Sequence, residues 1–302
     1  ILLAIVWGSG IGGFGSPLGG SANLVAISYL EGICGHEFMY IDWVSRFLPF
    51  LILTMLLNLV ILLSIKLPVK KLANTKAYFN DMYKQLGPMS KGEKIGLGLF
   101  IISTVLAFAR PLFAEALPAL RPAYIFFICG LLTFMLHDEE GKVLLTWKQA
   151  EKELMWGMFF LFAGGLALGK LVTGTGAATK LADVITVMPL TGGIETIFAF
   201  TAFSTILTEV SSNTAAASIA IPIIQSISEA LGLNVVPYIL VTIVAVNCAY
   251  ILPVSTRAIP IGYGLEPSEL FKHGVLLSAL NVILTTVVGY FFINYWPAFG
   301  QI

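Results

Sequence analysis

The chain has 302 residues, of which 57% are hydrophobic and only 11% charged, and its formal net charge is zero. A soluble domain carries roughly a quarter charged residues, so this composition, with a mean hydropathy of +0.90, belongs to a membrane protein. Zero net charge gives no reason to expect a nucleic-acid partner, and three single cysteines in apolar stretches (Cys34, Cys129 and Cys248) argue against a disulfide framework or a zinc motif.

The chain opens Ile1-Leu2-Leu3, already inside an apolar run and without the basic region of a signal peptide. The expectation is a piece of a longer protein that starts within a span. Residues 1–29 are apolar but broken by Gly12, Gly13, Gly15, Pro17, Gly19 and Gly20. Residues 43–65 form a plain span, long enough for about 30 Å of hydrocarbon, with Arg46 and Pro49 near its start. Further spans are expected over 93–108, 119–136 and 156–172. Lys170, Lys180 and Asp183, around a Gly-rich stretch, are expected at an interface. Residues 194–231 are too long for one crossing and carry the polar stretch 208–214 in their middle, which reads as a re-entrant hairpin. Residues 235–263 are apolar but broken by Pro253, Ser255, Thr256, Arg257 and Pro260; the last span, 275–296, ends in interfacial aromatics.

Between 66 and 94 the chain carries seven lysines, which places that loop in the cytoplasm. Alternation then puts 110–122 outside, 137–153 inside, 266–273 inside and the C-terminus outside, provided that 194–231 enters and leaves from one side. The fold expected is an all-α polytopic membrane protein, multi-pass in a cell membrane. Its regions are a broken helix over 1–42, spans and a cytoplasmic linker over 43–153, and further spans, the hairpin 194–231, the broken helix 235–265 and the last span over 154–302.

Non-helical backbone at membrane depth survives only when it is buried in protein or lines a cavity. Interrupted apolar segments therefore mark a transport site. The hairpin reads Thr208-Glu209-Val210-Ser211-Ser212-Asn213-Thr214-Ala215. The second hairpin helix begins at its tip with free amide N–H groups and a partial positive charge, an anion site. Ser212, Asn213 and Thr214 add polar side chains suited to a carboxylate, and the same oxygens suit a small cation. The plainer alternative is a helix cap. Glu209 reads as an ion-pair partner, a cap or a titrating group. Around residue 12 the run of glycines allows φ > 0 and close backbone approach, while Pro17 stops a helix. Arg257, a cation near mid-membrane, costs at least about 2.5–3.5 kcal/mol to insert and so needs an anion, carbonyls or water; the alternative is an arginine snorkelling to the interface. No catalytic or metal-binding set of side chains is evident.

These residues resemble the divalent anion/sodium symporter (DASS) family. Ser212-Asn213-Thr214 resembles its Ser-Asn-Thr signature, Leu252-Pro253-Val254-Ser255-Thr256 the start of its second unwound loop, and the stretch from Gly12 to Asn23 its first. Trp156-Gly157, Phe162-Ala163-Gly164-Gly165 and Leu166-Ala167-Leu168 resemble the stretch before its second hairpin. The resemblance implies a homodimeric elevator-type transporter of dicarboxylates or tricarboxylates, built as an inverted repeat whose N-terminal hairpin would precede Ile1. It implies substrate contacts at Ser212, Asn213, Thr214, Ser255, Thr256, Arg257, Gly20, Ser21 and Asn23. The candidate sodium ligands are Gly19, Asn23, Ser211, Asn213 and Ser255, with sodium as coupling ion and no other cofactor. In this sequence Ser21-Ala22 replace the usual Pro-Pro, and Arg257-Ala258-Ile259 replace Pro-Pro-Asn. A fixed guanidinium could stand in for a sodium ion, attracting a carboxylate at about 4 Å by roughly 4 kcal/mol at an effective dielectric of 20. Sodium-independent anion exchange is therefore the favoured expectation and sodium-coupled symport the alternative. An arsenite-type anion permease of the same superfamily is a further alternative, and a membrane enzyme or structural membrane protein is the reading from another class.

Overall fold

The structure, a computed structural model, describes residues 1–65, 75–154, 156, 160, 163–164, 167, 171, 174–176 and 190–301. The span expected over 156–172, with Lys170, Lys180 and Asp183, lies largely outside them. The described residues form helices and no strand. By packing the chain divides into two compact units, residues 1–65 with 157–302, and residues 66–156.

In the first unit α1 (Leu2–Gly13) and α2 (Ser21–Cys34) are joined by a short 3-10 turn (Pro17–Gly19). α3 (Tyr40–Ser64) packs on α1 through an aromatic cluster: Trp43 stacks on Phe47 at 4.3 Å, and Phe47 meets Phe14 at 6.1 Å. Trp43 Nε1 also donates to the Phe14 carbonyl (2.8 Å), which occupies a backbone acceptor just past the end of α1. Arg46, near the start of α3, is buried and donates to Asp42 and to the Gln301 carbonyl.

In the second unit α4 is Thr75–Leu86, α5 Lys91–Phe108, α6 Arg110–Phe113, α7 Pro122–Leu132 and α8 Trp147–Glu153. A reciprocal Ser90–Glu93 capping box starts α5, and Glu139 accepts from the Lys91 and Gly92 amides at the same end. α7 is shorter than the span expected over 119–136. After Leu132 the chain doubles back, and the Leu145 and Leu144 N–H groups take the carbonyls of Thr133 and Leu136. Those carbonyls are thus spent on a turn rather than on further helix.

The rest of the first unit is α9 (Ile194–Val210), α10 (Asn213–Ala230), α11 (Val235–Asn247), α12 (Ile259–Gly262), α13 (Pro267–Tyr295) and α14 (Pro297–Gly300). α9 and α10 form the hairpin and are separated only by Ser211 and Ser212. α11 is buried along its whole length, between α9, α10, α13 and α2. Its helix ends at Asn247, five residues before the break read from Leu252 in the sequence, and only a 3-10 turn (Ser255–Ala258) and the single turn α12 follow before α13. The two broken segments therefore differ, since α2 is a full helix and α12 is one turn. α13 starts eight residues before its apolar core, because the polar segment before Val275 is helical too.

Among the described residues, α3 and α13 are long and apolar enough to cross a membrane. α13 passes so close to the second break that a Cβ on Gly274 would overlap the Tyr250 carbonyl. That neighbour is backbone and cannot swing away. Gly274→Ala is expected to destabilise the protein by about 1–3 kcal/mol, the usual cost of overpacking. Gly130→Ala, where a Cβ meets nothing within 4 Å, should leave the melting temperature unchanged or slightly raised. Thermal unfolding of both variants in detergent checks the contrast.

Candidate functional site

The hairpin tip begins at the end of α9, where Ser211 turns extended and its hydroxyl donates back to Leu207 O (2.6 Å). Ser212 is the N-cap of α10, and its Oγ accepts from the Ala215 N–H (3.2 Å). The capping role weighed for Ser212 is thus real, and the residue lines a cavity as well. Thr208 fixes the tip from behind: its hydroxyl donates to Val246 O (2.7 Å) and lies 2.9 Å from Asn213 Oδ1.

The first break faces this tip. Ser21, at the first turn of α2, is hydrogen-bonded through its hydroxyl to the Thr214 hydroxyl. Two helix N-termini, those of α2 and α10, therefore meet side by side. Their first N–H groups lack intrahelical partners, and each end carries about half a positive charge. None of the glycines from Gly12 to Gly20 has a positive φ, so at Gly13, Gly15 and Gly19 close approach is their use rather than left-handed backbone. A Cβ on Gly19 would overlap the Gly13 carbonyl.

Asn23, a candidate for both substrate and sodium, is fully buried and turned away from the cavity. Its Nδ2 donates to Gly13 O (2.7 Å) and Ser16 O (2.9 Å), and its Oδ1 accepts from Asn247 Nδ2 (3.0 Å). It satisfies carbonyls freed at the end of α1 and ties the two breaks together. Ser211, occupied by its own helix, also lies off the cavity wall.

The second break hangs on Glu209. This buried carboxylate accepts from the N–H groups of Tyr250 (2.7 Å), Ile251 (3.0 Å) and Leu252 (3.2 Å), with the Ser278 hydroxyl at 3.4 Å. A carboxylate supplies several lone pairs at one point, so three consecutive N–H groups can turn toward it and leave the helix. Glu209 thus holds a backbone loop, not a basic side chain as one reading of the sequence had it. Arg257 closes the same joint from the other side. Its Nε donates to Leu252 O (2.7 Å), and its Nη2 to Thr208 O (3.1 Å) and Glu209 O (3.4 Å). The guanidinium is buried and held by carbonyls at the C-terminal end of α9, where a helix favours a cation. It does not snorkel. Ser255, beside it, has φ of +59°, a strained value for a residue with a Cβ.

These parts enclose one polar cavity of about 330 Å³. Of the residues singled out in the sequence, Gly19, Gly20, Ser21, Ser212, Asn213, Thr214, Ser255, Thr256 and Arg257 line it; Asn23 and Ser211 do not. Asn247 also lines it and was missed, although an amide closing a largely apolar helix was a legible signal. The ends of four helices surround the space: the N-termini of α2 and α10 at Ser21 and Asn213, and the C-termini of α1 and α11 at Gly13 and Asn247. The first pair favours an anion and the second a cation.

Compared with known proteins, the whole chain, residues 1–302, matches the family described as the sodium:sulfate symporter transmembrane region. The chain belongs to this family. It is therefore a membrane protein of a transporter family, as the Ser-Asn-Thr resemblance implied. It is 26% identical to the sodium-dependent dicarboxylate transporter SdcS of Staphylococcus saprophyticus, over 97% of this chain and 58% of that protein. The SdcS of Staphylococcus aureus is 27% identical, over 96% of this chain and 58% of its own length. An uncharacterized transporter of Haemophilus influenzae is 30% identical, over 97% and 62%. The chain thus spans about three fifths of the length of these relatives.

Glu209→Gln tests the joint. The amide keeps one acceptor and turns an NH₂ toward N–H donors, and a buried unsatisfied donor costs about 1–3 kcal/mol. Hydrogen exchange of the Tyr250, Ile251 and Leu252 amides should accelerate by about 5- to 150-fold, which is that energy as a local opening equilibrium. Exchange along α3 should not change.

Proposed function

We propose that this chain forms a carboxylate-binding part of a multi-pass, sodium-coupled transporter of dicarboxylates. The observation that carries the reading is the junction of two helix N-termini, at Ser21 and Thr214, on the wall of a polar cavity. A carboxylate placed there receives main-chain N–H groups from both helices and hydroxyls from Ser21, Ser212 and Thr214, with Asn213 fixing its orientation. Ser255 and Thr256 from the second break reach the second carboxylate of a short diacid. The helix C-termini at Gly13 and Asn247 supply the carbonyl side on which sodium is held, close enough to screen the dianion.

Two considerations turn the coupling away from the sodium-independent exchange favoured by the sequence. The SdcS relatives are named sodium-dependent, and the guanidinium of Arg257 is engaged by three main-chain carbonyls. Its charge serves the joint between hairpin and loop first, so it gives no independent reason to dispense with sodium. In this reading the hairpin is re-entrant, the whole protein is a homodimer, and the cavity is carried across the bilayer with its hairpin in an elevator movement.

Asn213→Ala is expected to abolish dicarboxylate uptake while leaving the protein folded, because Asn213 is only partly buried and losing its contact with Thr208 costs about 1 kcal/mol. Uptake of labelled succinate into proteoliposomes of the full-length protein, with a control for folded protein, measures this. Unchanged uptake by the variant would remove Asn213 from the site.

The coupling is read in the same vesicles. An inward sodium gradient is expected to drive net succinate accumulation, and its collapse should stop it. Accumulation that ignores sodium and requires a counter-anion inside would reverse the assignment in favour of exchange. Arg257→Lys should weaken apparent affinity by about tenfold for each 1.4 kcal/mol lost, because a point charge cannot span the carbonyls of Leu252 and Thr208 together.

A further inference from the structure

The α4 helix takes no part in the site, and none of its side chains is buried. Its twelve residues read Thr-Lys-Ala-Tyr-Phe-Asn-Asp-Met-Tyr-Lys-Gln-Leu. At 100° per residue, Tyr78, Phe79, Met82, Tyr83 and Leu86 fall on one side, while Lys76, Asn80, Asp81 and Lys84 fall on the other. The apolar side is bare: these five residues are between 46 and 78% exposed. A helix this short, with a bare aromatic stripe, has little reason to stay folded in water.

What covers the stripe follows from charge and from the leash that holds it. The stretch 66–94 carries seven lysines against two acids, Asp81 and Glu93. The C-terminal end of α4 is joined to α5 by four residues, 87–90, of which Gly87 is left-handed and Pro88 stiff. Four residues span at most about 14 Å, so α4 cannot leave the membrane surface if α5 crosses. A second copy of the same stretch would bring lysines against lysines. An anionic surface is the complement of this charge.

We propose that α4 lies flat on the cytoplasmic leaflet, its Tyr78–Leu86 side sunk among the acyl chains and its lysines on anionic phospholipid headgroups. An amphipathic helix of this kind binds in proportion to its apolar area and to the attraction of its basic residues for acidic lipid. Each lysine near such a surface strengthens adsorption about fivefold. The consequence is functional: acidic lipid anchors the segment that leads into α5, and the protein senses the charge of the leaflet. The proposal rests on the multi-pass reading, and the experiment separates the two.

The full-length protein, with Cys34, Cys129 and Cys248 replaced by alanine and succinate uptake retained, is spin-labelled singly at Phe79→Cys, Asp81→Cys or Ile101→Cys. It is reconstituted in phosphatidylcholine with and without phosphatidylglycerol, and accessibility to oxygen and to an aqueous nickel complex is read by electron paramagnetic resonance. The expected result is a lipid-exposed label at 79 and a water-exposed label at 81 when phosphatidylglycerol is present, with the label at 79 returning toward water without it or at high salt. Changing Lys76 and Lys84 to glutamine together should lower the bound-to-free ratio at 79 by about 25-fold, five for each charge. A label at 79 that stays in water overturns the proposal. So does one shielded from both reagents, which would mean a protein surface covers the stripe, or one equally deep in both lipids. Ile101, half-exposed on α5, is the internal standard: a label there outside the lipid overturns the multi-pass reading and the proposal together, whereas failure at 79 alone overturns only the proposal.

Discussion

Everything around the cavity depends on one buried carboxylate. A chain that leaves its helix in a buried interior exposes N–H and C=O groups, and each one left unpaired costs about 1–3 kcal/mol. Glu209 resolves this for the second break by accepting from three consecutive amides, those of Tyr250, Ile251 and Leu252. Arg257 answers from the loop by donating to Thr208 and Glu209 carbonyls on the hairpin. Anion and cation are thus both neutralised by main chain rather than by direct contact. Hydrogen bonds to charged groups contribute about 1.5–3 kcal/mol each, which is how two buried charges are tolerated here.

The first break is held by a neutral version of the same device. Asn23 gives its two donors to the carbonyls of Gly13 and Ser16 and accepts from Asn247. An amide suits this place because carbonyls need donors and the neighbouring helix end offers another amide. With Trp43 on the Phe14 carbonyl and Trp7 on the Tyr250 carbonyl, both breaks are stitched to packed helices.

N-termini from α2 and α10 meet at the cavity with the C-termini of α1 and α11 beside them, and small residues (Gly10, Gly13, Gly19, Gly20) let the backbones approach. The Arg257 guanidinium also lines the cavity, its charge held by the carbonyls of Leu252, Thr208 and Glu209. Family membership, with relatives named as sodium-dependent dicarboxylate transporters, fits a space built this way.

The sequence by itself determined the class and the address of the site. Hydropathy placed the chain in a membrane family, and the two apolar segments broken by Gly, Pro and Ser, with the polar tip between α9 and α10, identified nine residues that do line the cavity. These features are local: a proline or a glycine acts on its own neighbours, so a linear reading finds them. What only the tertiary structure decided is who satisfies whom. Glu209 and Tyr250 are 41 positions apart, and Asn23 and Asn247 are 224 apart. Nothing in either neighbourhood marks a carboxylate as the acceptor for a distant loop, or Asn23 as the partner of Gly13, Ser16 and Asn247. The early end of α11 at Asn247 has the same cause, because the amides that would continue the helix are claimed by a side chain from another element. Partner choice among polar groups is settled by which helices pack together, and that is a property of the whole fold.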